Sequence, residues 1–333
     1  MSYNPVKRVP KVDILVRLLL IALLLSPVSC KSRRNPSPAV SPISSRWSAV
    51  KAPGQVNLLG VDFVDGKTGW AVGDVGLTNG AIFRSDDGGL QWRPVAQTNE
   101  ILSSVQFISP SIGWVAGYAG RIQRTGDGGN SWQVLRGERK GEVLNSIFFF
   151  DDQHGWAVGG SGLLLVTANG GGVWEQIATG RIEDLWSVKF SSARRGWIVG
   201  EDGLILHTTD GGRDWAVQSQ GTRKALLCLA IGPGSHLVAA GEAGTILRSD
   251  DGEKWMAVPS NSSESLNGVT SEDGGVFWAV GSRGATLGSN DGGHSWISLP
   301  PVLSQDLMAV KAAGQGRAAA VGRRGAVQIL GQE

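Results

Sequence analysis

Cysteine is nearly absent: Cys30 and Cys228 are the only two in 333 residues. Two such thiols cannot be read as a disulfide framework. Tyrosine is as scarce, with Tyr3 and Tyr118 alone, which leaves little for chemistry that needs a phenolate nucleophile. The four histidines, His154, His207, His236 and His294, fall far apart with no metal-ligand spacing. The apolar run Leu18 to Leu25 is too short for a comfortable membrane span. Net charge is only +2. Beyond residue 29 the chain carries 27 basic and 28 acidic residues. A near-neutral body excludes a nucleic-acid groove, which needs a basic field.

What is plentiful is glycine, at 49 residues, and tryptophan, at thirteen. Much of both sits in one recurring stretch. A short strand runs into Ser/Thr-x-Asp-x-Gly, and a Trp follows. The Trp members are Trp92, Trp132, Trp174, Trp215, Trp255 and Trp296, spaced 40, 42, 41, 40 and 41 residues apart. A period near 41 with four short strands per unit predicts propeller blades. Each unit opens on a strand whose third residue is small: Gly60, Ser104, Ser146, Ser187, Cys228, Gly268 and Ala309. Innermost strands converge on the propeller axis, where bulky groups would collide. Cys228 is therefore expected to be a small packed residue. A second strand of the Trp-Ala-Val-Gly type follows, ending on a glycine that needs either positive φ or close backbone approach. Its Trp is expected to pack between neighbouring blades; a ring of carbohydrate-stacking Trp is the alternative.

The seventh unit stops three residues before the terminus without a fourth strand, while Arg46-Trp47-Ser48-Ala49-Val50 matches the fourth-strand pattern ahead of the first unit. The predicted fold is thus all-β: a seven-bladed propeller over 46–333, its last blade closed by an N-terminal strand. Residues 1–29 read as a signal peptide, with basic residues, an apolar core and a small residue before Cys30. Cys30 is the expected lipidation site. Residues 30–45, rich in Ser, Pro and Arg, read as a flexible tether.

The Asp residues of the turns, Asp87, Asp127, Asp210, Asp251 and Asp291, are expected to be structural, closing the turn through local hydrogen bonds. Calcium loops place oxygen ligands at alternating positions and end in an acid; these turns do not, so no metal or cofactor is expected. The turns resemble the Asp-box, or BNR repeat, of sialidases. Sialidase chemistry would rest on Tyr118 alone, and the Arg-Ile-Pro motif of that family is absent.

Gly69-Trp70-Ala71-Val72-Gly73 with Asp87-Gly88-Gly89 and Trp92, and Gly196-Trp197-Ile198-Val199-Gly200 with Asp210-Gly211-Gly212 and Trp215, resemble the photosystem II assembly and stability factors. The resemblance covers residues 46–330. It implies an exported, non-enzymatic lipoprotein on the periplasmic or thylakoid-lumen side, acting as a monomer on a membrane-complex subunit. It also implies an arginine-rich patch. Arg84, Arg124 and Arg248, with His207 at the same phase, are one candidate set; Arg283, Arg323 and Arg324 are another. A cell-surface glycan- or protein-binding propeller is the competing expectation.

One unit breaks the symmetry. From the second-strand Gly to the turn Ser/Thr, five units count 8 residues, but Gly73 to Ser85 is 12. Insertions in repeat folds often fall on the binding face. The expected partner-binding residues are therefore Asp74, Leu77, Thr78 and Asn79 of this loop, with Arg283, Arg323 and Arg324.

Overall fold

A computed structural model describes residues 46–331, except Ala52, Leu77, Ser219 and Gln220. The expected signal peptide, the tether, Cys30 and Leu77 lie outside the described residues. Seven four-stranded antiparallel sheets follow one another around the ring. Blade one consists of Asn57–Phe63, Gly69–Val75, Asn79–Ser85 and Arg93–Thr98. Blades two to six repeat this order. Blade seven takes Leu307–Gly314, Arg317–Gly322 and Val327–Gly331 from the end of the chain and Arg46–Ala49 from its beginning. The closing pair is antiparallel, with Trp47 opposite Leu330 and Ala49 opposite Gln328. The turn Trp stands just before the outer strand rather than inside it, since blade one's outer strand begins at Arg93, one residue after Trp92.

The small residues of the inner strands are a packing requirement. A Cβ at Gly60 would sit 3.1 Å from the Ser103 carbonyl oxygen of the next blade, and one at Gly268 3.0 Å from Ala309 Cα. Where the residue is Ser, its hydroxyl joins the blades: Ser104 Oγ accepts from Ile147 N at 3.1 Å. Cys228 is buried, as expected, and burial pushes its thiol up to about 12, so it stays protonated and inert. The second-strand glycines answer to close approach, not to positive φ. Gly159 is extended at φ −165°, and a Cβ there would lie 1.9 Å from the Val143 carbonyl oxygen.

The second-strand tryptophans join blade to blade. Trp70, Trp114, Trp156, Trp197 and Trp278 are all 2% exposed or less, so none is a platform for stacking a sugar. Four of the indoles donate to a carbonyl in the next blade's Asp-box turn: Trp70 to Gly128 O, Trp114 to Gly170 O, Trp156 to Gly211 O and Trp197 to Gly252 O, at 2.8–3.1 Å. Trp114 also stacks on Phe149 of the next blade, 3.7 Å between centroids, and Trp174 meets the same Phe edge-on at 5.8 Å. Trp70, Phe107 and Trp132 repeat this trio, as do Trp156, Phe190 and Trp215. The phenylalanines escaped the sequence reading. Their signal was present, because Phe63, Phe107, Phe149 and Phe190 recur at the sixth position of the inner strand in blades one to four. At the closure no Asp-box turn is available to Trp278. There Trp47 packs edge-on against it at 5.7 Å, so the closing strand supplies both the missing ladder and the missing aromatic.

Candidate partner-binding face

The ring has two different faces. One carries the Asp-box turns, five of the six tied to the first turn of their own blade, as by Gly128 N to Ser111 O at 2.9 Å. The other carries the turns between second and third strands, held to the connections between blades, as by Gly162 N to Glu183 O at 3.0 Å.

On the first face the Asp-box is a closed hydrogen-bond device. Asp127 Oδ1 accepts from Thr125 Oγ1 at 2.8 Å and Ser131 N at 2.9 Å, and Oδ2 accepts from Ser131 Oγ at 2.6 Å. Thr125 Oγ1 in turn accepts from Gly129 N, and Gly128 and Gly129 supply positive φ. Asp87, Asp210, Asp251 and Asp291 take the same hydroxyl and amide bonds. Blade three uses Asn169 in the same place, with Oδ1 accepting from Thr167 Oγ1 at 3.0 Å and Val173 N at 2.9 Å. An uncharged amide thus suffices, which argues for a turn lock over a cation site. Among the described residues no three His, Cys, Asp or Glu are grouped to hold a metal.

The turns have a pH signature. The Ser131 hydroxyl and amide, then the Thr125 hydroxyl, hold the Asp127 carboxyl down at about 2. In Asp251 the amides of Lys254 and Glu253 lower the value, and in Asp291 burial raises it but the bonds from Ser295, Ser289 and the His294 amide together bring it down. A carboxyl depressed in the folded state stabilises it above the unfolded value near 4, and that contribution is lost as pH falls toward 2. The melting temperature should therefore hold from neutral pH down to about 4 and decline below it. Asp127→Asn should melt like the parent at pH 7 and lose part of that acid-dependent decline. A melt that falls sharply at pH 7 in this variant would show that the charge itself is needed.

Arg84, Arg124 and Arg248 lie on the Asp-box face and do not form an open basic patch. Arg84 and Arg248 brace one blade against the next. Arg84 lies over Trp70 at 5.4 Å and donates to Gly128 O at 3.0 Å. Arg124 lies over Trp114 at 5.5 Å. Arg248 is 1% exposed, donates to Gly292 O at 2.7 Å and pairs with Asp250. His207 stacks on Trp197 at 5.0 Å, and burial holds its ring below the usual imidazole value.

The second candidate set lies on the opposite face, and its members are neighbours. The blade-one insertion is a lengthened hairpin rather than a free loop, with Asp74 opposite Gly80 and Val75 opposite Asn79. Gly76 turns the chain at φ 69°, and Thr78 and Asn79 are exposed. At its base Asp74 accepts from Asn57 Nδ2 at 3.0 and 3.1 Å. The same Asn57 accepts from Arg324 N through Oδ1 at 3.0 Å. Asp306 continues the chain: its Oδ1 accepts from Arg283 N at 2.9 Å, and its Oδ2 lies 4.0 Å from Arg323 Nε. Arg283 pairs with Glu264. Arg324 is exposed, and among the described residues its guanidinium has no carboxylate partner. A hollow of about 430 Å³ lies between Asn57, Ser304, Gln305, Asp306, Arg323 and Arg324. Tyr118 sits apart from this group, 41% exposed in the corresponding turn of blade two.

The chain is a closed seven-bladed Asp-box propeller whose irregular residues gather on one face. The family model described as "Photosynthesis system II assembly factor YCF48" matches residues 39–140, 95–178 and 139–329, and the chain belongs to that family. A curated relative, the photosystem II assembly lipoprotein Ycf48 of Synechococcus sp. (strain CC9902), is 35% identical over 126 residues. That match covers 36% of this chain and 35% of the relative, so the chain spans about a third of its length. Among solved structures, YCF48 bound to D1 peptide superposes with TM-score 0.72 at 21% identity, over 86% of this chain and 97% of that one. YCF48 from Cyanidioschyzon merolae gives 0.67 at 22%, over 85% and 98%. A GH74 xyloglucanase from Xanthomonas campestris gives 0.65 at 16%, over 85% of this chain and 53% of the other. Likeness at this level shows the fold, and the same architecture carries hydrolase and non-hydrolase alike.

Proposed function

We propose that this protein is a non-enzymatic assembly scaffold, exported and lipid-anchored through Cys30, that acts as a monomer. It holds a segment of a membrane-complex subunit on the periplasmic or thylakoid-lumen side. The relative solved with a D1 peptide supports a D1-type peptide segment as that partner. The binding surface is the face bearing the blade-one hairpin (Asp74, Leu77, Thr78, Asn79) with Arg283, Arg323 and Arg324. One observation carries this reading. The hairpin and Arg324, whose guanidinium has no carboxylate partner among the described residues, are the places where the repeats stop repeating, and Asn57 ties the two together. An exposed guanidinium beside a polar hairpin suits a carboxylate-bearing peptide, which it can grip in bidentate fashion.

Affinity capture from native membranes tests the proposal. Arg323→Glu with Arg324→Glu, in a chain that melts like the parent, should reduce recovery of the membrane-protein partner at least tenfold. Shortening the hairpin at residues 75–79 should reduce it further. Unchanged recovery in both variants would overturn the assignment of the face.

A further inference from the structure

The inner strands enclose a cavity of about 390 Å³ along the ring axis, within the size range of small-molecule sites. Each strand starts from the face with the blade connections and ends at the Asp-box face. Its second residue therefore lines one end of the cavity and its fifth the other. At the second position Ser103, Asn145 and Asn267 spend their polar groups on carbonyls of the next blade. Leu59, Trp186, Leu227 and Met308 leave the remainder of that end apolar.

At the fifth position three residues are charged: Asp62, Lys189 and Lys311. They are the only ionised groups lining the cavity among the described residues, and they leave it one positive charge in excess. Asp62 is committed. It is 3% exposed, meets Lys311 Nζ at 2.7 Å through Oδ1, and accepts from Phe107 N at 2.7 Å through Oδ2. Gln106 and Thr270 are committed to backbone groups of neighbouring blades. Lys189 lies over the Phe148 ring at 5.5 Å and has no carboxylate at ion-pair distance among the described residues. On the same strand the Trp186 indole N–H is buried and finds no acceptor. The Lys189 ammonium thus feels Asp62 only from beyond ion-pair distance, and a group with oxygen acceptors entering the cavity would pair with it.

We propose that the central cavity binds an organic carboxylate with an apolar tail. The carboxylate pairs with Lys189, and the tail lies against Trp186, Leu227 and Met308. Three residues of extended strand separate the two ends by about 10 Å, the length of an aryl group on a short alkyl chain. The carboxylate belongs either to a free acid or to the C-terminus of a peptide ending in an apolar residue. The state of Lys189 agrees with this. Burial and repulsion from Lys311 together outweigh the attraction of Asp62 and push its ammonium down to about 8, so a bound anion would draw a proton onto it near that pH.

Calorimetry with 4-phenylbutyrate and its uncharged amide tests the site at pH 8. The acid should bind at least tenfold more tightly than the amide. Its heat should differ between Tris and HEPES as Lys189 takes up a proton. Lys189→Met should weaken the acid at least tenfold and leave the amide unchanged. A tetrapeptide ending in Phe, with free or amidated terminus, separates the two sources. Binding of the free-terminus peptide assigns the site to a chain end, and binding of phenylbutyrate alone assigns it to small acids. Equal binding of acid and amide to the parent protein overturns the proposal, whether or not the Lys189 variant folds. So does binding of neither carboxylate.

Discussion

Deleting residues 46–50 should lower the melting temperature by more than about 10 °C and make the chain more prone to associate. The stretch is short, but three losses coincide in it. The strand Val327–Gly331 loses its partner from Arg46 to Ala49 and becomes an open edge, the kind of edge that recruits other chains. Trp47, 8% exposed, leaves a cavity, which for a buried Trp costs about 3–5 kcal/mol by itself. Trp278 loses the aromatic group that stands where other blades offer an Asp-box carbonyl. Differential scanning calorimetry and light scattering on the truncated chain check this. Trp47→Ala alone should give the smaller, non-associating part of the effect. A truncated chain that melts with the parent would mean that the ring does not depend on its closing strand.

Trp114→Ala should be the most damaging single substitution away from the closure. Trp114 is fully buried between blades two and three. The change removes the stack on Phe149, empties the space beside it and leaves Gly170 O without its indole donor. Cavity and transfer losses for a Trp amount to about 3–5 kcal/mol, or on the order of 10 °C in a domain of this size. Trp114→Phe retains an aromatic ring and loses mainly the hydrogen bond, about 1–2 kcal/mol. Thermal melts of the two variants separate packing from hydrogen bonding. Equal melting of Trp114→Ala and the parent would refute the role of this residue as a joint between blades.

The architecture was readable because it is written seven times. A period of 41 residues, a small third residue and a strand missing at one end but present at the other each follow from how a ring closes, and the sheet order agrees with all three. What escaped the reading is what depends on neighbours in space. Phe149 recurs in the sequence, yet its meaning appears only when Trp114 and Trp174 meet on it from two blades. Arg84 and Arg248 read as surface charge, because a sequence does not tell that the carbonyls of Gly128 and Gly292 lie within their reach. The insertion after Gly73 read as a loop. Its Gly, Thr and Asn signal a turn but do not say how far the strands stay paired before it. Asp74 was chosen because its unit breaks the repeat, and Arg283, Arg323 and Arg324 as an expected arginine-rich patch; the link between the two became visible through Asn57 and Asp306, which the repeat pattern does not mark.

The central claim is that function sits on the face where the blades differ and not on the face where they repeat. The most direct measurement is the membrane capture experiment run on both faces in parallel, with equal changes of charge. Arg323→Glu with Arg324→Glu alters the hairpin face, and Arg194→Glu with Arg213→Glu alters exposed residues of the Asp-box face. Loss of the membrane-protein partner in the first pair and full recovery in the second is the expected result. Loss in the second pair with full recovery in the first would contradict the account.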